Sequence, residues 1–164
     1  MTNGSCKNYM NNWLIKRGFR IKKQCGCFYY FDNFSLNALV WKEPNNERYA
    51  IDIHVFIEEL HNDEEREKWY KWADLSTNGL TNLGERNQWF QYLDHDEAYC
   101  ERFLQDIYDT YIKPFFDKGM GQIKELVEYS GDFERAGYPD WQNHWHIHPK
   151  AKEYIAKLNF NLKP

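Results

Sequence analysis

With 164 residues, 42% of them hydrophobic and 28% charged, the chain is long enough to bury a core of its own without disulfides or a metal, and too apolar to be disordered throughout. A net charge of −4 argues against a general nucleic-acid binder, which needs a positive field to gather phosphates. No apolar run approaches the roughly 18 residues of a membrane helix, and MTNGSCKNYM lacks the basic-then-apolar pattern of a secretory leader, so a cytoplasmic location with no membrane partner is expected.

Tyr9, Trp13, Leu14 and Ile15 recur at helical spacing and predict a short amphipathic helix over residues 8–16, with Gly18 as its C-terminal cap. This end of the chain is basic: Lys7, Lys16, Arg17, Arg20, Lys22 and Lys23 fall within residues 1–31 without a single acid. The pattern then shifts to short aromatic and β-branched runs over 19–24, 27–32, 35–41 and 49–57. Cys25-Gly26 and Asp32-Asn33 suit tight hairpins, and Glu43-Pro44-Asn45-Asn46 suits a longer turn with its φ preset by proline. Four sequential strands joined by such short turns make an antiparallel meander. Cys25 and Cys27 are too close for an easy mutual disulfide, and one Cys-x-Cys pair is a weak zinc signal, so they are read as small half-buried residues flanking the Gly26 turn. All four cysteines are expected to stay reduced in a cytosolic protein.

In residues 49–57 the odd positions Tyr49, Ile51, Ile53, Val55 and Ile57 are all apolar, which defines a core face. The even positions put Asp52 and His54 side by side on the other face, which is then either open to solvent or used for binding. An acidic cluster follows, Glu58, Glu59, Asp63, Glu64, Glu65 and Glu67 against Arg66 alone. Carboxylates in a first turn favour the helix dipole, and Asn62 is a cap candidate for a helix that ends near Asp74. Residues 76–87, with Gly79 and Gly84, read as a long loop, and residues 88–93 as a fifth strand or the run into the next helix. Asp94 is the expected cap of that helix, with Asp96 and Glu97 in its first turn. Its buried stripe is Cys100, Phe103, Leu104, Ile107, Tyr111 and Phe115. Pro114 should kink or end it, Gly119-Met120-Gly121 breaks the chain, and a shorter helix is expected over 122–129. There is no internal repeat.

NHWHIHP, residues 143–149, carries the strongest hint of chemistry. On a strand, neighbouring imidazoles among His144, His146 and His148 could share a metal, with further ligands from Asp52, His54 or a cysteine. The competing reading starts a last helix at Pro149, running to about Leu158, with Trp145 and Ile147 buried and His144 and His146 outward. Burial decides for the second, because an apolar side chain gains about 1.5–3 kcal/mol inside while an unpaired imidazole loses stability there. No catalytic residue, cofactor or metal is assigned: the chain lacks a nucleophile elbow, a phosphate-cradling glycine loop, H-E-x-x-H and a two-pair cysteine site.

Several of these stretches together resemble a bacterial family of uncharacterised domains, the domain-of-unknown-function family numbered 4304. They are Lys16-Arg17-Gly18-Phe19 after the first helix, Phe28-Tyr29-Tyr30-Phe31, the alternating strand 49–57, Trp89-Phe90 before an acidic cap, and Tyr111-Ile112-Lys113-Pro114-Phe115-Phe116-Asp117. The resemblance covers about residues 8–118 and leaves 119–164 as a helical extension. It implies an α+β fold, a meander of four to five strands on several helices in a single domain, and no activity. Small bacterial domains of this kind often stand beside secreted toxins as immunity proteins, which is an analogy of neighbourhood.

Aromatic residues make up 18% of the chain, and large amphipathic rings serve a core or a partner-binding face. With the uneven charge, they point to a non-catalytic, immunity-like module that occludes a toxin or other protein partner through an acidic and aromatic surface. Asp52, His54, Glu58, Glu59, Glu64 and Glu65 are the expected contact residues. The alternative is a small metal-dependent enzyme built on the 144–148 histidines.

Overall fold

Thr2 begins the first helix: its hydroxyl accepts the Ser5 N–H at 3.1 Å while the Ser5 hydroxyl accepts the Thr2 N–H at 2.9 Å, a reciprocal cap that satisfies two orphan donors. Helix α1 therefore spans Asn3–Ile15, starting earlier than the 8–16 expected, and buries Cys6, Met10, Trp13 and Leu14 on one stripe. The computed structural model describes residues 1–22, 25–62, 73–77, 90–128 and 145–162. The expected helix after Asn62 and most of the 76–87 loop lie outside the described residues, as does His144.

Strands β1 (Arg20–Lys22), β2 (Gly26–Tyr30), β3 (Phe34–Lys42) and β4 (Arg48–Ile57) form the antiparallel meander expected from the turn residues. At the first hairpin Gly26 has φ +98, and a Cβ there would lie 2.8 Å from Asn37 Nδ2 and 2.9 Å from the Ala38 carbonyl oxygen. Only glycine meets both demands. Between β3 and β4, Asn45 turns the chain at φ 65, and Glu43 and Arg48 close the turn with an ion pair.

β4 has two further partners along its other edge. β5 (Leu75–Ser76) pairs with His54 and Val55, and β6 (Phe90–Gln91) pairs with Arg48 and Tyr49. β7 (His146–Ile147) then adds to β5, giving a sheet of seven strands among the described residues, all antiparallel. The sequence pointed to β6, but β5 and β7 are two-residue strands that carry no periodicity. Side chains hold β5 in place. Asp74 Oδ2 accepts the Ile57 N–H at 2.6 Å and Thr77 Oγ1 accepts the Ile53 N–H at 2.8 Å, so each end of the short ladder is continued by a side chain.

Helix α2 (Glu97–Ile107) is capped by Asp96, whose carboxylate accepts the Tyr99 N–H at 2.9 Å; Asp94, the expected cap, lies in the preceding turn. The helix passes through a π-type turn, Tyr108–Ile112, into α3 (Lys113–Lys118), and Pro114, which lacks an N–H, stands just after this break in the regular helix. α4 (Met120–Glu128) and α5 (Pro149–Leu162) complete the described helices. Their buried residues join those of α1 to α3 and the apolar face of the sheet in one core. The fold is α+β, an antiparallel meander with helices packed on one face.

The 145–149 segment follows the burial argument. Trp145 and Ile147 are buried and His146 is exposed, with the Trp145 ring 5.7 Å from Phe115 and 6.4 Å from Tyr111. Pro149 opens α5, which runs four residues beyond Leu158.

Candidate functional site

Two arrangements of polar residues stand apart from the core. The first is the second face of the sheet, on which Asp52 and His54 lie as expected. Both are buried, so neither is open to solvent. Their neighbours are Asn37, directly opposite His54, and Ser35 and Ser76, also buried. Asn37 organises the group. Its Nδ2 donates to the Cys25 carbonyl at 2.7 Å, which turns its Oδ1 toward His54 Nδ1 at 2.8 Å. The ring must therefore carry its proton on Nδ1, leaving Nε2 as the basic nitrogen of the neutral form.

Asp52 is less well provided for. Among the described residues its Oδ1 has no hydrogen-bond partner, nor does the buried Ser35 hydroxyl. Burial pushes the Asp52 carboxyl up to about 7, against the influence of the nearby Trp41 indole, which favours the carboxylate. Beyond the sheet edge, His61 Nε2 meets both oxygens of the buried Asp74 at 2.8 and 2.9 Å, and Phe56 packs edge-on against the imidazole. Nothing in the sequence marked this pair, because the two residues are 13 apart and one lies in a turn. Glu58 and Glu59 are exposed on a short 3-10 turn after β4, and burial, with the Glu59 charge, raises the Tyr154 hydroxyl on α5 above its usual range. Glu64 and Glu65 lie outside the described residues. The four expected contact residues that are described thus divide: Asp52 and His54 are buried, and Glu58 and Glu59 are exposed.

The second arrangement is an open cleft of about 630 Å³ where β6 turns into α2. Phe90 and Tyr92 are buried in the core just before it, and Leu93, in the turn, is left 63% exposed. Asp94, Asp96 and Glu97 line it, with Arg102 at one side. His95 stacks flat on Tyr99, ring centroids 3.7 Å apart and 4° from parallel. The Met1 ammonium closes the other side, donating to the carbonyls of Tyr92 at 2.8 Å and His95 at 3.1 Å. Three carboxylates beside an exposed leucine and a stacked aromatic pair suit a basic side chain next to an apolar one. In the sequence these acids read as helix-start residues with Arg102 further along the same helix, and only the tertiary structure brings Met1 to them.

The histidine segment offers less. His146 is exposed, and His148 Nδ1 accepts the Lys150 N–H at 3.1 Å, so this imidazole caps α5. Among the described residues no group of three or more His, Cys, Asp and Glu is placed to hold a metal ion. None of their helices is long and apolar enough to cross a membrane. Compared with protein-family models, curated proteins and solved structures, the chain matches none.

Proposed function

We propose that this protein is a non-catalytic, immunity-like binding module that occludes a protein partner, such as a bacterial toxin, through an acidic and aromatic surface. The cleft at the start of α2 carries the reading: its carboxylates lie beside exposed apolar and aromatic area, the combination that steers and then holds a basic protein surface. Glu58 and Glu59 are a second, separate acidic feature that such a partner can reach.

The test is capture from the native host with wild type, an Asp94→Lys/Glu97→Lys variant and a Glu58→Lys/Glu59→Lys variant, all checked for unchanged melting. Wild type should retain one partner in a salt-sensitive complex, and reversing charge in the cleft should weaken it by about tenfold or more. Equal capture by wild type and the cleft variant would move the surface elsewhere, to the 58–59 turn if that variant alone fails. Absence of any partner with all three would end the proposal.

A further inference from the structure

Helices α1 and α2 run side by side in the same direction, and their contacts come in register. The Met1 ammonium meets the Tyr92 and His95 carbonyls, Tyr9 donates to Glu101 Oε2 at 2.6 Å, and Trp13 donates to Glu101 Oε1 at 3.3 Å and meets the Tyr108 ring edge-on at 5.7 Å. Between the first two of these contacts lie Cys6 on α1 and Cys100 on α2. Both are fully buried free thiols, and the same register sets them on facing turns of the two helices.

We propose that Cys6 and Cys100 are a thiol pair that closes reversibly to a disulfide, stapling α1 to α2 beneath the acidic cleft. The flanking contacts, Met1 with the chain at 92–95 and Tyr9 with Glu101, hold the helices in the register that sets these two positions opposite each other. The other cysteines are not so placed: Cys27 donates to Asn11 Oδ1 at 3.7 Å and burial pushes its thiol up to about 11, and Cys25 stands at the hairpin. Cys6 lies on the turn that follows the exposed residues 2–5, so it is the sulfur reached first and the attacking one, and the N-terminal ammonium favours its thiolate, while burial holds Cys100 protonated.

The oxidant is a small-molecule disulfide of the glutathione class. The Cys6 thiolate attacks one of its sulfurs and displaces one glutathione thiolate, leaving a mixed disulfide on Cys6. Cys100, giving up its proton, attacks the Cys6 sulfur and displaces the second. Both thiol protons end on the two glutathione molecules, and the two electrons lost by the protein reduce the oxidant. Because both sulfurs are buried, exchange needs the first turn of α1, exposed from Thr2 to Ser5, to part from α2.

The experiment uses the full chain, reduced and then incubated with oxidised glutathione, once folded and once during refolding, followed by thiol counting, peptide mapping and melting. The expected result is loss of two of the four thiols, a Cys6–Cys100 cross-linked peptide, and a melting temperature raised by about 5–15 °C and restored by dithiothreitol. Cys100→Ser should stop at the mixed disulfide on Cys6. Four free thiols under both regimes, glutathione caps without a cross-link, or a link through Cys25 or Cys27 would each overturn the proposal. The wild-type map needs no variant to fold and no partner to bind, so its outcome is independent of the proposed function.

Discussion

The two faces of β4 are buried to nearly the same degree, yet they hold the protein together differently. Tyr49, Ile51, Ile53, Val55 and Ile57 are at most 5% exposed and gain stability simply by leaving water. Asp52 and His54, at 8% and 1%, gain only as far as each polar atom finds a partner. His54 has Asn37, whereas Asp52 Oδ1 and, further along the same face, the Ser35 hydroxyl have no hydrogen-bond partner among the described residues. Burial alone is therefore a poor measure of stabilisation on this sheet, and the polar face is where stability depends on solution conditions.

Breaking the apolar side should do the most damage. Trp145→Ala opens a void between β7, Tyr111 and Phe115 and is expected to cost about 3–5 kcal/mol, measured by denaturant unfolding. Trp145→Phe should cost less than the alanine, because it keeps much of the contact and removes an indole N–H that has no hydrogen-bond partner among the described residues. Equal losses in the two variants would mean that packing at this position contributes little.

The polar side is next, and its signature is pH dependence. Asp52 ionises near 4 in the unfolded chain and at about 7 in the folded one, so between these values the folded protein binds the extra proton and stability falls as pH rises, levelling off above 7. The full effect is at most about 4 kcal/mol. Asp52→Asn should remove this part of the slope and leave the variant relatively more stable at pH 8 than at pH 4; parallel pH profiles for the two proteins would refute it. Asn37→Ala takes partners from both His54 Nδ1 and the Cys25 carbonyl, with an expected cost of about 1–3 kcal/mol. If instead it melts with wild type, the network on this face contributes no stability. The smallest effect sharpens the comparison from outside: His146 belongs to the same sheet face but is exposed, and His146→Ala should change stability by less than about 0.5 kcal/mol, with or without added zinc. A large loss, or a zinc-dependent rise in the melting point of wild type alone, would restore a metal role for the segment.

The meander, the α2 stripe and the inward turn of Trp145 and Ile147 were legible because each is a matter of local periodicity and apolar burial, and both are written into neighbouring residues. Turn chemistry helped where glycine or asparagine stands at a positive φ, as at Gly26 and Asn45. Less was legible at the candidate site. Alternation assigned Asp52 and His54 to one face, but alternation says only which residues share a side and not what covers it. The two-residue strands β5 and β7 escaped because they are fixed by the Asp74 and Thr77 side chains and by pairing across long sequence separations.

What the sequence determined by itself is the class of fold and the sidedness of its main elements, since side-chain hydrophobicity at a period of two or near four acts on any chain that carries it. The tertiary structure alone decided which polar groups meet. It set Asn37 against His54 and His61 against Asp74, brought Met1 to the turn before α2, and laid Cys6 opposite Cys100, 94 positions away. Hydrogen bonds and thiol contacts act over a few ångströms and carry no periodicity, so their partners are chosen only when packing of the apolar faces has brought distant segments of the chain together.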